Sequence, residues 1–208
     1  MSAETIKVVS NWYEFTKTIK WPTFFPPDYE PVRGTIDSHF HGYANMVDPL
    51  AQAKHASQAG MKALVIKSSA VPSVEPARIV NEVLEEWAKP LGISPTLCFG
   101  GIVLGTNTGG INVEYARAIV EKGAKVIWFP VLTAANHLMK TKNMSLEEAK
   151  RAGVYILENG KLIPQALEII DLAVKNDIAL SFGHLSREEM NALAEEVHSR
   201  NYTKALID

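Results

Sequence analysis

Short apolar runs alternate with longer amphipathic stretches along most of the chain, beginning at Gly34. The apolar runs are nearly continuous, which is typical of strands covered on both faces of a sheet. They predict strands at 35–39, 63–67, 97–104, 125–131, 178–182 and 204–207. The amphipathic stretches predict helices at about 48–59, 76–89, 112–122, 164–175 and 187–199. This alternation indicates right-handed βαβ units and a parallel sheet.

Capping residues mark several of these helix ends. Asp48 stands before Pro49, which places a capping carboxylate ahead of a proline in the first helical turn. Ser145 and Ser186 each precede a glutamate by three residues, the pattern of a capping box. Glycines suited to left-handed caps follow three helices, at Gly60, Gly92 and Gly123.

The segment 132–163 interrupts the alternation. It predicts a loop, a short helix near 145–151 and a hairpin turn at Asn159-Gly160. A (β/α)8 barrel needs about 250 residues and eight strand–helix units, whereas only about six units occur here. The residues alone leave two α/β folds open: a smaller doubly wound sheet, or a barrel whose C-terminal part is absent from this chain.

Residues 1–33 differ in composition from the rest, because they are rich in aromatic residues and carry the adjacent pair Pro26-Pro27. We therefore predict an irregular arm at 1–33 and one α/β domain at 34–208. The arm is expected to pack on its own domain, with mostly buried side chains at Trp12, Trp21 and Phe24. A contact with another subunit and a direct contact with substrate are the alternatives.

Composition restricts the partners and the compartment. The formal net charge is −2, so no basic excess favours nucleic acid or an anionic membrane. The single cysteine, Cys98, excludes an intramolecular disulfide framework. No apolar run approaches the roughly 20 residues that span a bilayer, and the N-terminus lacks signal-peptide features. We expect a cytoplasmic homo-oligomer that acts on a small molecule, with no nucleic-acid and no membrane partner.

The most informative string is Asp37-Ser38-His39-Phe40-His41, at the end of the first predicted strand. Residues two apart on a strand point to the same face, so the two imidazoles can converge on one centre at about 2.0–2.1 Å, as in zinc sites. Asp37 lies one step deeper and can join the site or hold a ligand histidine in place. The alternative is a pair of exposed loop histidines, or a partly buried pair.

A second histidine follows a later strand in the same manner. His184 lies between the strand at 178–182 and the helix cap Ser186, so it is expected at the same sheet edge. We predict it as the third metal ligand. Stabilisation of the nearby helix start is the alternative.

Further residues are candidates for catalysis or binding. Lys67 ends a buried run, where an amine needs water, an anion or a metal site; it can pair with Asp37, bind a substrate carboxylate or be carbamylated. His137 follows the fourth strand and is a candidate ligand, proton shuttle or substrate contact. A glycine-rich helix start is a candidate substrate site, with Asn112 as a plain helix cap the alternative: Gly109, Gly110 and Asn112.

Asp37-x-His39-x-His41 after the first strand resembles the opening motif of the amidohydrolase superfamily, metal-dependent hydrolases built on a (β/α)8 barrel. Later strings at 60–68, 99–104, 109–112, 123–130 and 183–186 resemble a poorly characterised branch of that superfamily, so the resemblance covers residues 34–208. In that branch the second-strand motif is expected to read Lys-Ser-His, whereas Ser69 stands at the histidine position here.

The resemblance implies a TIM-like barrel that hydrolyses a small-molecule amide, imine or lactone with a divalent metal. Zinc is the expected ion, with manganese or iron as alternatives, held by His39, His41 and His184. Roles in orienting substrate or moving protons then belong to Asp37, Lys67 and His137.

The superfamily usually places an acidic general base on the eighth strand, whereas this sequence ends at Asp208. The resemblance thus implies a barrel shortened by about 60–80 residues, with weak turnover and retained metal affinity. Completion by a partner chain and a reduced barrel are the alternatives. Other activities stay open: a metal-dependent lyase or decarboxylase, a phosphoesterase, or a catalytically incomplete barrel that only binds metal or ligand.

Overall fold

The structure is a computed structural model that describes residues 32–42 and 48–207. The expectations for the N-terminal arm, including burial of Trp12, Trp21 and Phe24, lie outside the described residues. Asp208 lies outside them as well.

The described residues form eight strands, and six of them build one parallel sheet. The strands are β1 (Ile36–His41), β2 (Ala63–Lys67), β3 (Leu97–Val103), β4 (Val126–Trp128), β5 (Leu157–Glu158), β6 (Lys161–Leu162), β7 (Ala179–Ser181) and β8 (Ala205–Leu206). The sheet has the order β1-β2-β3-β4-β7-β8, which follows the chain without reversal. A doubly wound sheet reverses its strand order, so this alternative is wrong. The sheet is instead a half-barrel.

Seven α-helices accompany the strands in the described residues, and most connect one sheet strand to the next. They are α1 (Pro49–Gln58), α2 (Val74–Ala88), α3 (Val113–Glu121), α4 (Ala135–Lys142), α5 (Leu146–Ala152), α6 (Pro164–Asn176) and α7 (Arg187–Ser199). The predicted caps are confirmed: Asp48 accepts from the Leu50 N–H, and Ser145 and Ser186 form capping boxes. No helix in the described part of the chain is long and apolar enough to cross a membrane.

The excursion between β4 and β7 corrects one prediction. The hairpin is confirmed, since β5 and β6 pair antiparallel around Asn159 and Gly160, which have φ of 50° and 76°. The residues after β4 are not simply a loop, because α4 begins at Ala135. Its N-cap is Ala134, which provides no side-chain hydrogen bond, so the sequence carried no start signal there.

The sheet separates two apolar layers. Ile127 of β4 faces the helices, in a core shared with residues of α3, α6 and α7. Its neighbours Val126 and Trp128 face the other way, where they pack with Val65 and Val103. This alternation along one short strand places the Trp128 side chain on the concave face, beside the ends of β1 and β2.

Candidate active site

All six strands of the sheet are parallel, so their C-terminal ends meet at one edge. We call this the C-terminal edge; ligands of open α/β sheets bind outside it. His41 ends β1, Lys67 ends β2 and Trp128 ends β4, while His184 follows β7 by three residues. Three residues predicted from the sequence, His41, Lys67 and His184, therefore lie at or just after strand ends at this edge.

His39 and His41 contact each other at the end of β1. Their Nε2 atoms lie 2.9 Å apart, and the rings stack with centroids 4.8 Å apart. The backbone of β1 is irregular between Asp37 and Phe40, and Asp37 Oδ1 accepts from the His39 backbone N–H at 2.9 Å. Two ligand nitrogens of a tetrahedral zinc ion, each at about 2.05 Å, would lie about 3.3 Å apart. The observed 2.9 Å is a hydrogen-bond spacing, and the two rings would have to separate by about 0.4 Å to bind one ion.

Lys67 brings a buried amine to the same pair. Its side chain is almost wholly buried, and Nζ lies 2.9 Å from His39 Nε2. Nζ also lies 5.8 Å from the centroid of the Trp128 ring, within range of a cation–π interaction. Burying an ammonium group is costly, so these contacts partly replace its lost hydration.

Trp128 was not among the residues singled out from the sequence. Its side chain is 1% exposed, its ring meets His39 edge-on at 6.4 Å between centroids, and its Nε1 is buried. Among the described residues, Nε1 has no hydrogen-bond partner. Leaving a buried donor unpaired costs about 1–3 kcal/mol. A strand-ending tryptophan in an apolar run was the available signal, but such a pattern indicates burial rather than an unused donor.

His137 and His184 form a second pair. Their Nδ1 atoms lie 3.1 Å apart, with ring centroids 5.1 Å apart. His137 stands in the first turn of α4. Because two Nδ1 atoms face each other, one donates and the other accepts, so the pair shares a single proton.

Asn136 holds together the two segments that carry this second pair. Its Nδ2 donates to the carbonyls of His184 and Leu185, each at 3.1 Å. The amide thereby ties the start of α4 to the loop after β7. Asn136 is a positioning residue that the sequence did not reveal, because its role depends on the unpredicted helix α4.

The three predicted metal ligands are distributed over the two pairs. His39 and His41 are in one pair and His184 is in the other, with His137. Within residues 32–42 and 48–207, no three His, Cys, Asp or Glu side chains form a group that could hold a metal. The fit to a metal therefore rests on the His39–His41 pair.

The predicted substrate residues near α3 have structural partners. The N–H groups of Gly109 and Gly110 donate to the carbonyls of Thr106 and Gly105, and Asn112 Oδ1 accepts from the Tyr115 N–H as a helix cap. Both glycines have positive φ, of 84° and 73°, which favours glycine. These contacts explain the residue types locally, and contact with substrate stays a prediction.

A comparison with curated proteins finds no match. A family model described as a family of unknown function, DUF6282, matches residues 34–208. The match covers the whole half-barrel and every candidate site residue described above. The chain therefore belongs to the DUF6282 family, a family of unknown function.

Proposed function

We propose that this protein is a metal-dependent hydrolase built on a TIM-like barrel, acting on an amide, imine or lactone bond of a small molecule. One observation carries the proposal: two imidazole nitrogens lie 2.9 Å apart at the C-terminal edge of a parallel sheet. The order of the strands supports it, because a half-barrel that follows the chain is the arrangement of a singly wound barrel.

The ion is proposed to be zinc, with manganese or iron as alternatives, since imidazole suits all three metals. His39 and His41 would bind it through Nε2. His184 is the proposed third ligand, because it follows a strand at the same edge. When bound, such an ion lowers the pKa of water and polarises a scissile carbonyl.

His137 is proposed to hold or move a proton. The Nδ1 contact with His184 gives that histidine a hydrogen-bonding partner of the kind that orients metal ligands, and its Nε2 is the proposed ligand atom. If His184 donates, His137 accepts at Nδ1 and carries its own proton on Nε2. That proton would then be available to a leaving group at the C-terminal edge.

Asp37 and Lys67 are proposed to position the site. Asp37 Oδ1 holds the backbone N–H of His39, which fixes the irregular end of β1. Lys67 Nζ contacts His39 Nε2, the proposed ligand atom, so binding of the metal would displace the amine from that nitrogen. Asp37 thereby sets the position of one ligand, and Lys67 is proposed to supply a positive charge that faces the substrate.

The test combines metal analysis with a turnover screen. The protein is stripped with a chelator, reloaded with zinc, manganese or iron, and assayed on amides, lactones, carboxylic acids and phosphoesters. We expect hydrolysis of an amide or lactone that requires metal, is lost in His41→Ala and persists in His55→Ala. His55 is the matched control because it is exposed in α1.

Other outcomes would contradict the proposal. Metal-independent turnover would exclude the metal mechanism. Loss of carbon dioxide from a carboxylic acid would identify a decarboxylase. Tight metal binding without turnover on any class would indicate a binding domain instead of a hydrolase.

A further inference from the structure

We propose that residues 15–27 of the N-terminal arm dock on an apolar stripe of helix α2, formed by Ile79, Val83 and Trp87. The stripe is then an interaction surface whose occupant is a segment of the same chain. None of its three residues belongs to the proposed active site, so the docking does not depend on the proposed hydrolase.

The stripe consists of residues that are four apart on one helix. Ile79, Val83 and Trp87 therefore lie along the same side of α2. Ile79 is 52% exposed and Val83 is 41% exposed, while Trp87 is partly buried against the core that α1, β2 and α2 share. A single exposed apolar side chain is ordinary, whereas a row of them along one helix is typical of a surface that another segment covers.

Helix α2 packs on the sheet through a different side. A surface helix with one buried side normally carries polar residues on the rest of its circumference. Packing on the sheet thus accounts for the buried residues of α2 but leaves Ile79 and Val83 unexplained. The buried residues are Ala77, Val80, Leu84 and Ala88.

The arm joins the described chain close to this stripe. The Gly34 N–H donates to the Gly60 carbonyl at 2.8 Å, and the Arg33 side chain packs over Gly60, just after α1. Lys54 stands six residues before Gly60 and places its Nζ 5.5 Å from the centroid of the Trp87 ring. Six residues of helix span about 9 Å. The entry point of the arm is therefore one short helical segment away from the stripe.

The linker and the docking segment have the lengths that this placement needs. Residues 28–33 separate the segment from the entry point, and six extended residues span up to about 20 Å. From residue 79 to residue 87 a helix rises about 12 Å. Four extended residues cover that distance, so the segment 15–27 is long enough to lie along the whole stripe.

The composition of the segment suits an apolar partner. Large apolar side chains make up more than a third of it, and burying each one fully would contribute about 1.5–3 kcal/mol. Adjacent prolines at its end disfavour a regular element there, as expected of a segment that follows the surface of another element. The large apolar residues are Phe15, Ile19, Trp21, Phe24 and Phe25.

The charges favour the arm over a second copy of the chain. Residues 74–91, which are α2 and the turn after it, carry four glutamates, one arginine and one lysine, a net charge of −2. Glu82 and Glu86 border the stripe, because each follows a stripe residue by three positions. The only charged residues of the segment 15–27 are Lys17 and Lys20. Packing α2 against α2 of a second copy would instead bring two negatively charged helices together.

Paramagnetic NMR on the full chain tests the docking. A spin label is attached at Glu86→Cys beside the stripe or, as the matched control, at the exposed Glu168→Cys of α6, each in a Cys98→Ala background. The reporter is the indole N–H signal of Trp21, assigned with Trp21→Phe. We expect the label at residue 86 to broaden this signal and the label at residue 168 to leave it sharp. Equal broadening by the two labels, or none, would overturn the proposal.

A mixed sample distinguishes the chain's own arm from that of another copy. Spin-labelled protein without 15N is mixed with 15N-labelled protein that carries no spin label, so that only contacts between copies broaden the Trp21 signal. We expect the signal in the mixture to stay sharp. Broadening in the mixture would assign the stripe to a second copy, contrary to the proposal.

Trypsin gives an independent measure, because the segment contains cleavage sites after Lys17 and Lys20. Val83→Ser should raise the rate of cleavage at these sites about tenfold, since it removes an apolar contact of the arm. Tyr115→Ser replaces an apolar side chain of similar exposure on α3 and should leave the rate unchanged. A cleavage rate that is the same in Val83→Ser as in the unmodified protein would show that the stripe does not hold the arm.

Discussion

His39 Nε2 lies 2.9 Å from His41 Nε2 and 2.9 Å from Lys67 Nζ. A neutral imidazole nitrogen offers one lone pair in the ring plane, so His39 cannot serve both neighbours fully. Binding a cation between the two imidazoles would direct both of their lone pairs to one centre. The crowding of three nitrogens at the end of β1 and β2 is thus the feature that the metal proposal explains.

Asn136→Ala should loosen the His137–His184 pair without unfolding the protein. The amide donates to the carbonyls of both His184 and Leu185, so its removal frees the loop after β7 from α4. We expect a loss of about 1–2 kcal/mol in the free energy of unfolding. The kcat/KM of the proposed hydrolase should fall at least tenfold, because a displaced His137 would no longer be aligned for proton transfer. Unchanged turnover would mean that Asn136 does not position the pair.

Glu189→Ala should destabilise the protein far more than Glu148→Ala, although both glutamates belong to capping boxes. Glu189 is fully buried, and its two oxygens accept from the backbone N–H groups of Ile156 and Ser186. Removing it leaves two buried donors unpaired, at about 1–3 kcal/mol each. Glu148 caps an exposed helix start, where a cap contributes about 0.5–2 kcal/mol. Denaturant unfolding of both variants measures the difference, and equal losses would contradict it.

Gly101→Ala should damage both stability and the position of Trp128. A Cβ at residue 101 would stand 2.0 Å from the Val126 carbonyl oxygen and 2.8 Å from Trp128 Cζ3. Because backbone atoms cannot move aside without distorting the sheet, we expect the free energy of unfolding to fall by at least about 3 kcal/mol. Gly92→Ala is the control: it meets nothing within 4 Å but has φ of +64°, so it should cost only about 1–2 kcal/mol. Denaturant unfolding measures both variants, and similar losses of unfolding free energy would contradict a steric clash at residue 101.

The strands were predictable because parallel strands that are buried on both faces consist of nearly continuous apolar residues. The predicted limits of β2 agree with the structure, whereas β4 ends at Trp128 instead of 131. Pro130 explains much of that shortening, because it has no N–H to donate to a neighbouring strand. Helix α4 was missed because Ala134 gives no cap, and its start is fixed instead by backbone contacts with Val154.

The site was predictable only in part. Strand ends placed His39, His41, Lys67 and His184 at one edge, and sequence periodicity is sufficient for that. The pairing of His184 with His137 depends on α4, and the orphan N–H of Trp128 depends on packing across three strands. Neither has a local signature in the sequence, because both arise from tertiary contacts.

Cys98 should make the stability of the protein fall at alkaline pH. Burial in β3 raises the pKa of its thiol from the ordinary 9.0 to about 11. The thiol form is favoured in the folded state, so its contribution is complete below pH 9 and is lost as the pH rises to about 11. We expect a loss of about 2–3 kcal/mol over that interval, which Cys98→Ala should remove. If the free energy of unfolding falls equally with pH in the unmodified protein and in Cys98→Ala, this expectation is contradicted.

The central claim is that His39 and His41 hold one divalent metal ion at the C-terminal edge. Anomalous scattering from a crystal soaked in zinc, recorded on both sides of the zinc absorption edge, measures this most directly. We predict one strong peak at about 2.0–2.1 Å from the Nε2 atoms of both histidines, absent in crystals of His41→Ala. A soaked crystal with no peak there, or with its strongest peak at another residue, would contradict the metal assignment.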